Sequence, residues 1–438
     1  MNGKIVCSLE DWDSIIDFHR PNGSSKTWYI KELGKLNIPL MWGDWNIYRE
    51  GSKEIFGRET FVDLVTPYHL KSYIDFLPKS KIGNSCHIYL IPVWSPSFFY
   101  LNAGIGFNCI DEKYKSDIRE GKSKIVIIHL FEGYSGSEGN YDFETIENWR
   151  NMANFPEDSV HYVSGNLNSN EIAKQKNLKL NAFGVSMFET WNWDFCLTNM
   201  EKPSVEFIPE DDKYLFLSYN RMTRGHRVFL MSELINKELL DRGLISLNKV
   251  HHVHDEFISE ENAEYIIENS PFIIDSKYDL NYNLACNISK LDYEKTFISI
   301  VTETIVNDNT LFLSEKIWKP IIVGHPFLVY GNMGTLSYLK SLGYKTFDKW
   351  IDESYDNEPN KNKRGTMVVD ELNKFSSLTL GELKKIREEM FEICEYNKQH
   401  FLTLFYQNWE YNTNLKLKKY IQDIWVDLKQ KNKNTKLI

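Results

Sequence analysis

Cysteine is scarce and scattered in this chain. Its six residues, Cys7, Cys86, Cys109, Cys196, Cys286 and Cys394, form no Cys-x-x-Cys pair. Neither a zinc site nor a disulfide framework is readable from them, and a reducing cytoplasm fits best. Long apolar runs are also missing. No stretch reaches the roughly 18 consecutive apolar residues of a membrane-spanning helix, and Glu10 places an acid too early for a signal peptide. Positive charge is in short supply in residues 1–212, which hold 21 Lys and Arg against 30 Asp and Glu. An acidic half is a poor electrostatic match for a polyanion, which disfavours general nucleic-acid binding.

What is present describes a globular protein. The hydrophobic fraction is 42% and the charged fraction 26%, both ordinary, so disorder is excluded as the main state. A length of 438 residues suggests two or three domains at about 150 residues each. Eight of the twelve tryptophans fall in residues 1–200. They serve either core packing or a surface that stacks on sugar rings or bases, and composition does not choose between these uses.

The first half reads as mixed α/β. The runs Cys86–Val93 and Lys124–Phe131 are short and apolar, bounded by Gly, Asn and Ser, and predict buried strands. The second run stops at Glu132-Gly133 and enters the loop Tyr134–Asn140. A break near Glu201–Asp212 ends the periodicity. Beyond it, strands are expected at Tyr214–Ser218, Phe272–Ile274, Phe297–Val301 and Pro326–Tyr330, with helices over Val228–Leu239 and Ser314–Val323. Alternation of helices with nearly all-apolar strands predicts a parallel, doubly covered sheet. Asn357–Lys363 reads as a charged surface loop, and Thr379 with Glu382 as a capping box opening a C-terminal helix. The lysine-rich tail from Lys429 is expected to fray. The fold expected is two α/β domains facing a cleft, with a helical C-terminus: residues 1–205, 206–375 and 376–438.

Two stretches carry chemistry. Phe216–Arg227 runs off a strand into a helix and holds Ser218, Asn220, Arg221, Arg224 and Arg227. Arginines there suit a diphosphate, because ligands sit beyond the carboxyl ends of parallel strands and guanidinium groups grip phosphates in bidentate fashion. A solvated basic turn is the plainer alternative, although cations at a helix start oppose its dipole. The second stretch is Thr302-Glu303-Thr304 followed by Leu311–Phe327. Ser314 can cap a helix whose first turn offers Glu315 to the hydroxyls of a ribose and Lys316 to a phosphate. An amphipathic helix with an ordinary serine cap has the same spacing. His325, Trp318 and Trp350 read as turn and core residues, and the acids at Asp352, Glu353, Asp356 and Glu358 lack metal-ligand spacing.

Together these stretches resemble the donor-site signature of the α-1,3-fucosyltransferases of glycosyltransferase family ten. The match runs through Ser-Glu-Lys-Ile-x-Lys-Pro-Ile-x-x-Gly-x-Pro, preceded by Phe-Ile-Ser-Ile-Val-Thr-Glu-Thr, and through the strand, polar turn and arginines of Phe216–Arg227. It covers roughly residues 213–345. It departs from the family at Thr304, where an Asn is usual, and at Lys319-Pro320. The resemblance implies a GT-B fold of two Rossmann-like domains, and inverting transfer that is independent of metal and cofactor. The donor substrate would be a nucleotide sugar, GDP-linked in that family, and the acceptor a saccharide or glycoconjugate. By the same resemblance, Glu315 would hold the ribose, Lys316 with Arg227 or Arg224 the diphosphate, and Glu303 would border the sugar.

Inverting transfer also needs a base for the acceptor hydroxyl. The resemblance implies a strand of the acceptor half followed by Gly-Glu. Here the Ile125–Phe131 strand is followed by Glu132-Gly133, the reverse order, which makes Glu132 the candidate. A solvated loop acid is the plainer alternative, and Glu138, Asp142 and His129 are competitors. The function expected is therefore a fucosyltransferase-like glycosyltransferase. The alternatives are transfer to modified bases in DNA, toward which the lysine-rich tail points, a non-catalytic saccharide-binding protein, and a sugar-nucleotide epimerase.

Overall fold

The computed structural model describes residues 40–42, 87–92, 112–129, 141–185, 203–209, 213–274, 289–306, 310–407 and 413–435. The chain divides into two units: residues 1–187 with 410–438, and residues 188–409. Both are α/β, and every described strand pairing within their sheets is parallel.

In the first unit, the five described strands β1 (Leu40–Trp42), β2 (His87–Pro92), β3 (Ser123–His129), β4 (Val160–Ser164) and β5 (Asn181–Gly184) lie in sequence order. Helices α1 (Glu112–Arg119), α2 (Tyr141–Met152) and α3 (Ser169–Gln175) connect them. Residues 123–127 of β3 are buried on both faces, which fits the apolar run through Ile125–Ile127 rather than an alternating pattern. Ile125 and Ile127 share a core with Tyr162 and with Phe143, Ile146 and Trp149 of α2.

The second unit is built on a four-stranded sheet in the order β7 (Gly243–Leu247), β6 (Phe216–Asn220), β8 (Ile298–Thr302), β9 (Phe327–Tyr330). Its elements are β6 (Phe216–Asn220), α4 (Gly225–Asn236), β7 (Gly243–Leu247), α5 (Glu260–Asn269), α6 (Lys290–Lys295), β8 (Ile298–Thr302), α7 (Glu315–Val323), β9 (Phe327–Tyr330), α8 (Thr335–Ser341), α9 (Lys361–Ser376) and α10 (Leu380–Gln407). The alternation is Rossmann-like. Helix α7 ends at Gly324, whose φ of 73° is the left-handed conformation that glycine adopts without strain. The Thr379–Glu382 capping box forms as expected: Glu382 N–H donates to Thr379 Oγ1 at 3.3 Å and Thr379 N–H to Glu382 Oε2 at 2.8 Å.

Three local expectations need correction. Phe272–Ile274 is not a strand: Phe272 makes one antiparallel bridge to Leu247, and Pro271, without an N–H, cannot extend the ladder. Asn357–Lys363 is not all loop. Asn360 caps α9 by accepting from Lys363 N–H at 3.0 Å, so Lys361–Lys363 form its first turn. The tail from Lys429 is helical through Thr435, within α11 (Thr413–Thr435). This last helix belongs to the first unit, where Asp427 pairs with the buried Lys124 at 2.5 Å and Lys431 pairs with Asp158. The helical C-terminus is thus divided, with α10 in the second unit and α11 in the first. Among the described residues no helix is long and apolar enough to cross a membrane.

Candidate functional site

The chemistry-bearing residues gather at the carboxyl edge of the second unit's sheet, where strands hand over to helices. Glu303 follows β8 directly. Its N–H donates to the Tyr330 carbonyl at 2.9 Å, which carries the β8–β9 ladder one residue further. Its side chain is fully enclosed, with 0% exposure. The carboxylate accepts from the Ser314 N–H at 3.2 and 3.1 Å and from the Thr304 N–H at 3.2 Å. Glu303 thereby ties the start of the β8–α7 loop to its end. Burial pushes its carboxyl above the usual range, opposed by the Lys316 ammonium and the Ser314 amide.

Ser314 caps α7, its Oγ accepting from the Lys316 N–H at 3.3 Å. The Lys316 ammonium then turns back over the cap. It donates to Glu315 Oε1 at 2.7 Å, to Thr304 Oγ1 at 2.9 Å and to Ser314 Oγ at 3.2 Å. Glu315 and Lys316 keep 17% and 21% side-chain exposure, enough to meet a ligand from outside. Burial acts to raise the Glu315 carboxyl, but the Lys316 ammonium outweighs it and holds the group below the ordinary carboxylate range.

The first stretch reaches the same spot from α4. Arg224, the residue before the helix, donates from Nη1 to the Thr304 carbonyl at 2.8 Å. His226 lies 2.9 Å through Nε2 from the Glu303 carbonyl. A carbonyl only accepts, so Nε2 carries the proton. Burial and the neighbouring Arg227 charge push the imidazole down to about 3, so it is neutral near pH 7. Arg227 itself is enclosed at 2% exposure and donates to the Met222 carbonyl at 3.1 Å.

The expected residues therefore sort into two groups. Arg224 and Lys316 donate to Thr304, the fully buried Glu303 accepts from its N–H, and Glu315 joins them through Lys316. Ser218, Asn220 and Arg227 are buried, with Asn220 Nδ2 donating to Ser218 Oγ at 2.7 Å. Arg221 is part-buried in the turn after β6, and its carbonyl accepts from Asn248 N–H at 3.1 Å. Glu132 and its competitor Glu138 lie outside the described residues. His129 is the last residue of β3 and Asp142 the second of α2.

Sequence reasoning missed Thr304, whose three polar groups hold the site together: its N–H on Glu303, its carbonyl on Arg224 and its hydroxyl on Lys316. Nothing in its local sequence marks that role. Asp356, one of the acids without metal-ligand spacing, has a structural task. It accepts from the Leu336 and Ser337 N–H groups at 2.8 and 2.9 Å, so the N-terminus of α8 is already satisfied by a carboxylate. His325 and Trp318 are core residues, at 1% and 0% exposure. No group of three or more His, Cys, Asp or Glu among the described residues is placed to hold a metal ion. No protein-family model matches the chain, and no curated protein matches it.

Proposed function

We propose that the chain is a glycosyltransferase of the two-domain GT-B type, fucosyltransferase-like, which moves a sugar from a nucleotide sugar to a hydroxyl acceptor. The observation that carries this reading is the convergence of Arg224 and Lys316 on Thr304, beside the part-exposed Glu315, at the carboxyl edge of a parallel sheet. Two cations and one carboxylate match a nucleoside diphosphate: the cations face the phosphates, and the carboxylate accepts the ribose hydroxyls.

In this reading the acceptor oxygen attacks the anomeric carbon as the bond from that carbon to the diphosphate oxygen breaks. The configuration inverts, the acceptor proton passes to a carboxylate base, and the leaving diphosphate takes the electron pair. Lys316 and Arg224 stabilise its growing charge without a metal. Glu132 is the proposed base. Among the described lysines of α11, Lys419 pairs with Asp423 and Lys431 with Asp158, which counts against a DNA acceptor at these two positions.

A thermal-shift screen against GDP-, UDP-, CMP- and dTDP-sugars tests the reading. A bound donor at ~100 times its Kd adds about 2.7 kcal/mol. No shift with any of them refutes it, and isomerisation of a donor without acceptor points instead to an epimerase.

A further inference from the structure

Arg364 sits in the first turns of α9 at 1% exposure, and its guanidinium spans three separate backbone segments. Nε donates to the Gly331 carbonyl at 2.9 Å, in the loop after β9. Nη2 donates to the Val306 carbonyl at 2.6 Å, in the loop after β8. Nη1 donates to the Glu358 carbonyl and, at 3.3 Å, to that of Pro359, where the chain enters α9. A planar fork with five N–H donors can hold such a set, and a lysine ammonium, with three donors on one atom, cannot.

Both anchors border the site. Val306 is two residues from Thr304, and a Cβ at Gly331 would sit 3.3 Å from Cγ of Glu303. Helix α9 reaches them because Gly365 has no side chain: a Cβ there would meet the Tyr330 ring carbon Cζ at 2.7 Å. The close approach and the arginine work together.

We propose that Arg364 is a positioning residue of the nucleotide-binding edge. It fixes the loops after β8 and β9 so that Thr304 stands between Arg224 and Lys316, while touching no ligand itself. This rests on the proposed nucleotide-sugar site, and the test separates the two.

GDP, UDP and dTDP are titrated calorimetrically into the full chain, into Arg364→Lys and into Phe375→Leu. The last is a control that thins the core at the far end of α9, where Phe375 packs on Phe297 at 5.0 Å. Hydrogen exchange at residues 303–306 is followed in parallel. The expected result is a Kd at least tenfold weaker in Arg364→Lys with faster exchange at 303–306, and an unchanged Kd in Phe375→Leu despite its lower melting temperature. Equal Kd in Arg364→Lys and the parent chain, or equal weakening in the control, overturns the positioning role alone. A parent chain that binds none of the three nucleotides removes the nucleotide site and this inference with it. Should Arg364→Lys fail to fold, Gly331→Ala crowds the same loop without burying an unpaired charge, because its Cβ would meet Thr335 Oγ1 at 3.0 Å, Val329 Cγ1 at 3.2 Å and Glu303 Cγ at 3.3 Å. It must also weaken binding, and unchanged binding overturns the proposal.

Discussion

Arg224, just before α4, and Lys316, in the first turn of α7, hold the same residue: Arg224 donates to the Thr304 carbonyl at 2.8 Å and Lys316 to the Thr304 hydroxyl at 2.9 Å. One threonine thus holds two cations, which in the proposed site a pair of phosphates would bridge. Lys316→Ala and Arg224→Ala should each weaken nucleoside diphosphate binding by roughly ten- to a hundredfold, the worth of a charge-assisted contact of about 1.5–3 kcal/mol. Calorimetry measures it, and unchanged affinity in both removes the phosphate assignment. Arg227→Ala should behave differently. Its side chain is enclosed at 2% exposure, so a lower melting temperature is its first effect.

Glu315 is expected to separate ribose from phosphate recognition. In the free protein its carboxylate is spent on Lys316 at 2.7 Å. Glu315→Ala removes the proposed acceptor for the ribose hydroxyls and also frees the Lys316 ammonium. Nucleoside diphosphate affinity should fall, while inorganic pyrophosphate binds at least as tightly as to the parent chain. A parallel fall of both ligands contradicts the assigned roles.

How much of this was legible in the sequence depends on how local each feature is. The strands at Phe216–Asn220 and Ile298–Thr302 and the cap at Ser314 follow from short apolar runs and from one serine before a helical pattern. Both cation-bearing stretches were visible for the same reason. That they meet at Thr304 was not, because the contact joins residues far apart in the chain. Burial was equally hidden: Arg224 and Arg227 are three residues apart, and only the packing of α4 encloses the second. By composition Asn357–Lys363 reads as a charged surface loop. In the structure Lys361 and Lys363 face outward while Asn362 and Arg364 are buried, a pattern that composition does not reveal. The tail from Lys429 is held through Asn432 Nδ2, which donates to the Gly121 carbonyl at 2.9 Å, a tie with no local signal.

Acid should destabilise the second unit. His226 and His325 are both held far below the ordinary histidine range, chiefly by burial. In the unfolded chain each takes up a proton near pH 6.5, whereas folded His226 stays neutral down to about 3. Below pH 6.5 the unfolded state therefore binds more protons, and stability falls as pH drops. Each histidine contributes a slope of about 1.4 kcal/mol per pH unit. Glu303 opposes them at the acid end, because its carboxyl is raised and takes up its proton earlier in the folded state. Urea unfolding at pH 7 and pH 5 should show the loss, and His226→Gln should flatten it. A flat profile in the parent chain contradicts the burial of these rings.

In the first unit, Lys124 keeps only 6% side-chain exposure between Asp427 at 2.5 Å and Asp158 at 3.4 Å. Asp427→Ala leaves that ammonium with its more distant partner. A loss of about 1–3 kcal/mol is expected, with faster hydrogen exchange along α11. Added salt should change the parent chain's value little, since the cation is buried. A variant as stable as the parent would mean that Asp158 alone holds Lys124.

The proposed base gives the sharpest test of the chemistry. Glu132→Gln keeps the side chain's size and removes only its capacity to take a proton. Once a donor and an acceptor are found, donor affinity and melting temperature should match the parent chain while turnover falls by roughly 10²- to 10⁴-fold, the usual contribution of a positioned base. Donor binding and proton removal then come apart: Lys316→Ala raises the Kd, and Glu132→Gln lowers the rate at saturating donor. A solvated loop acid predicts near-normal turnover instead. In that event Glu138→Gln and Asp142→Asn are the next variants, as the nearest carboxylates after β3. If all three turn over normally, no acid of this segment takes the acceptor proton, and the base belongs to another element.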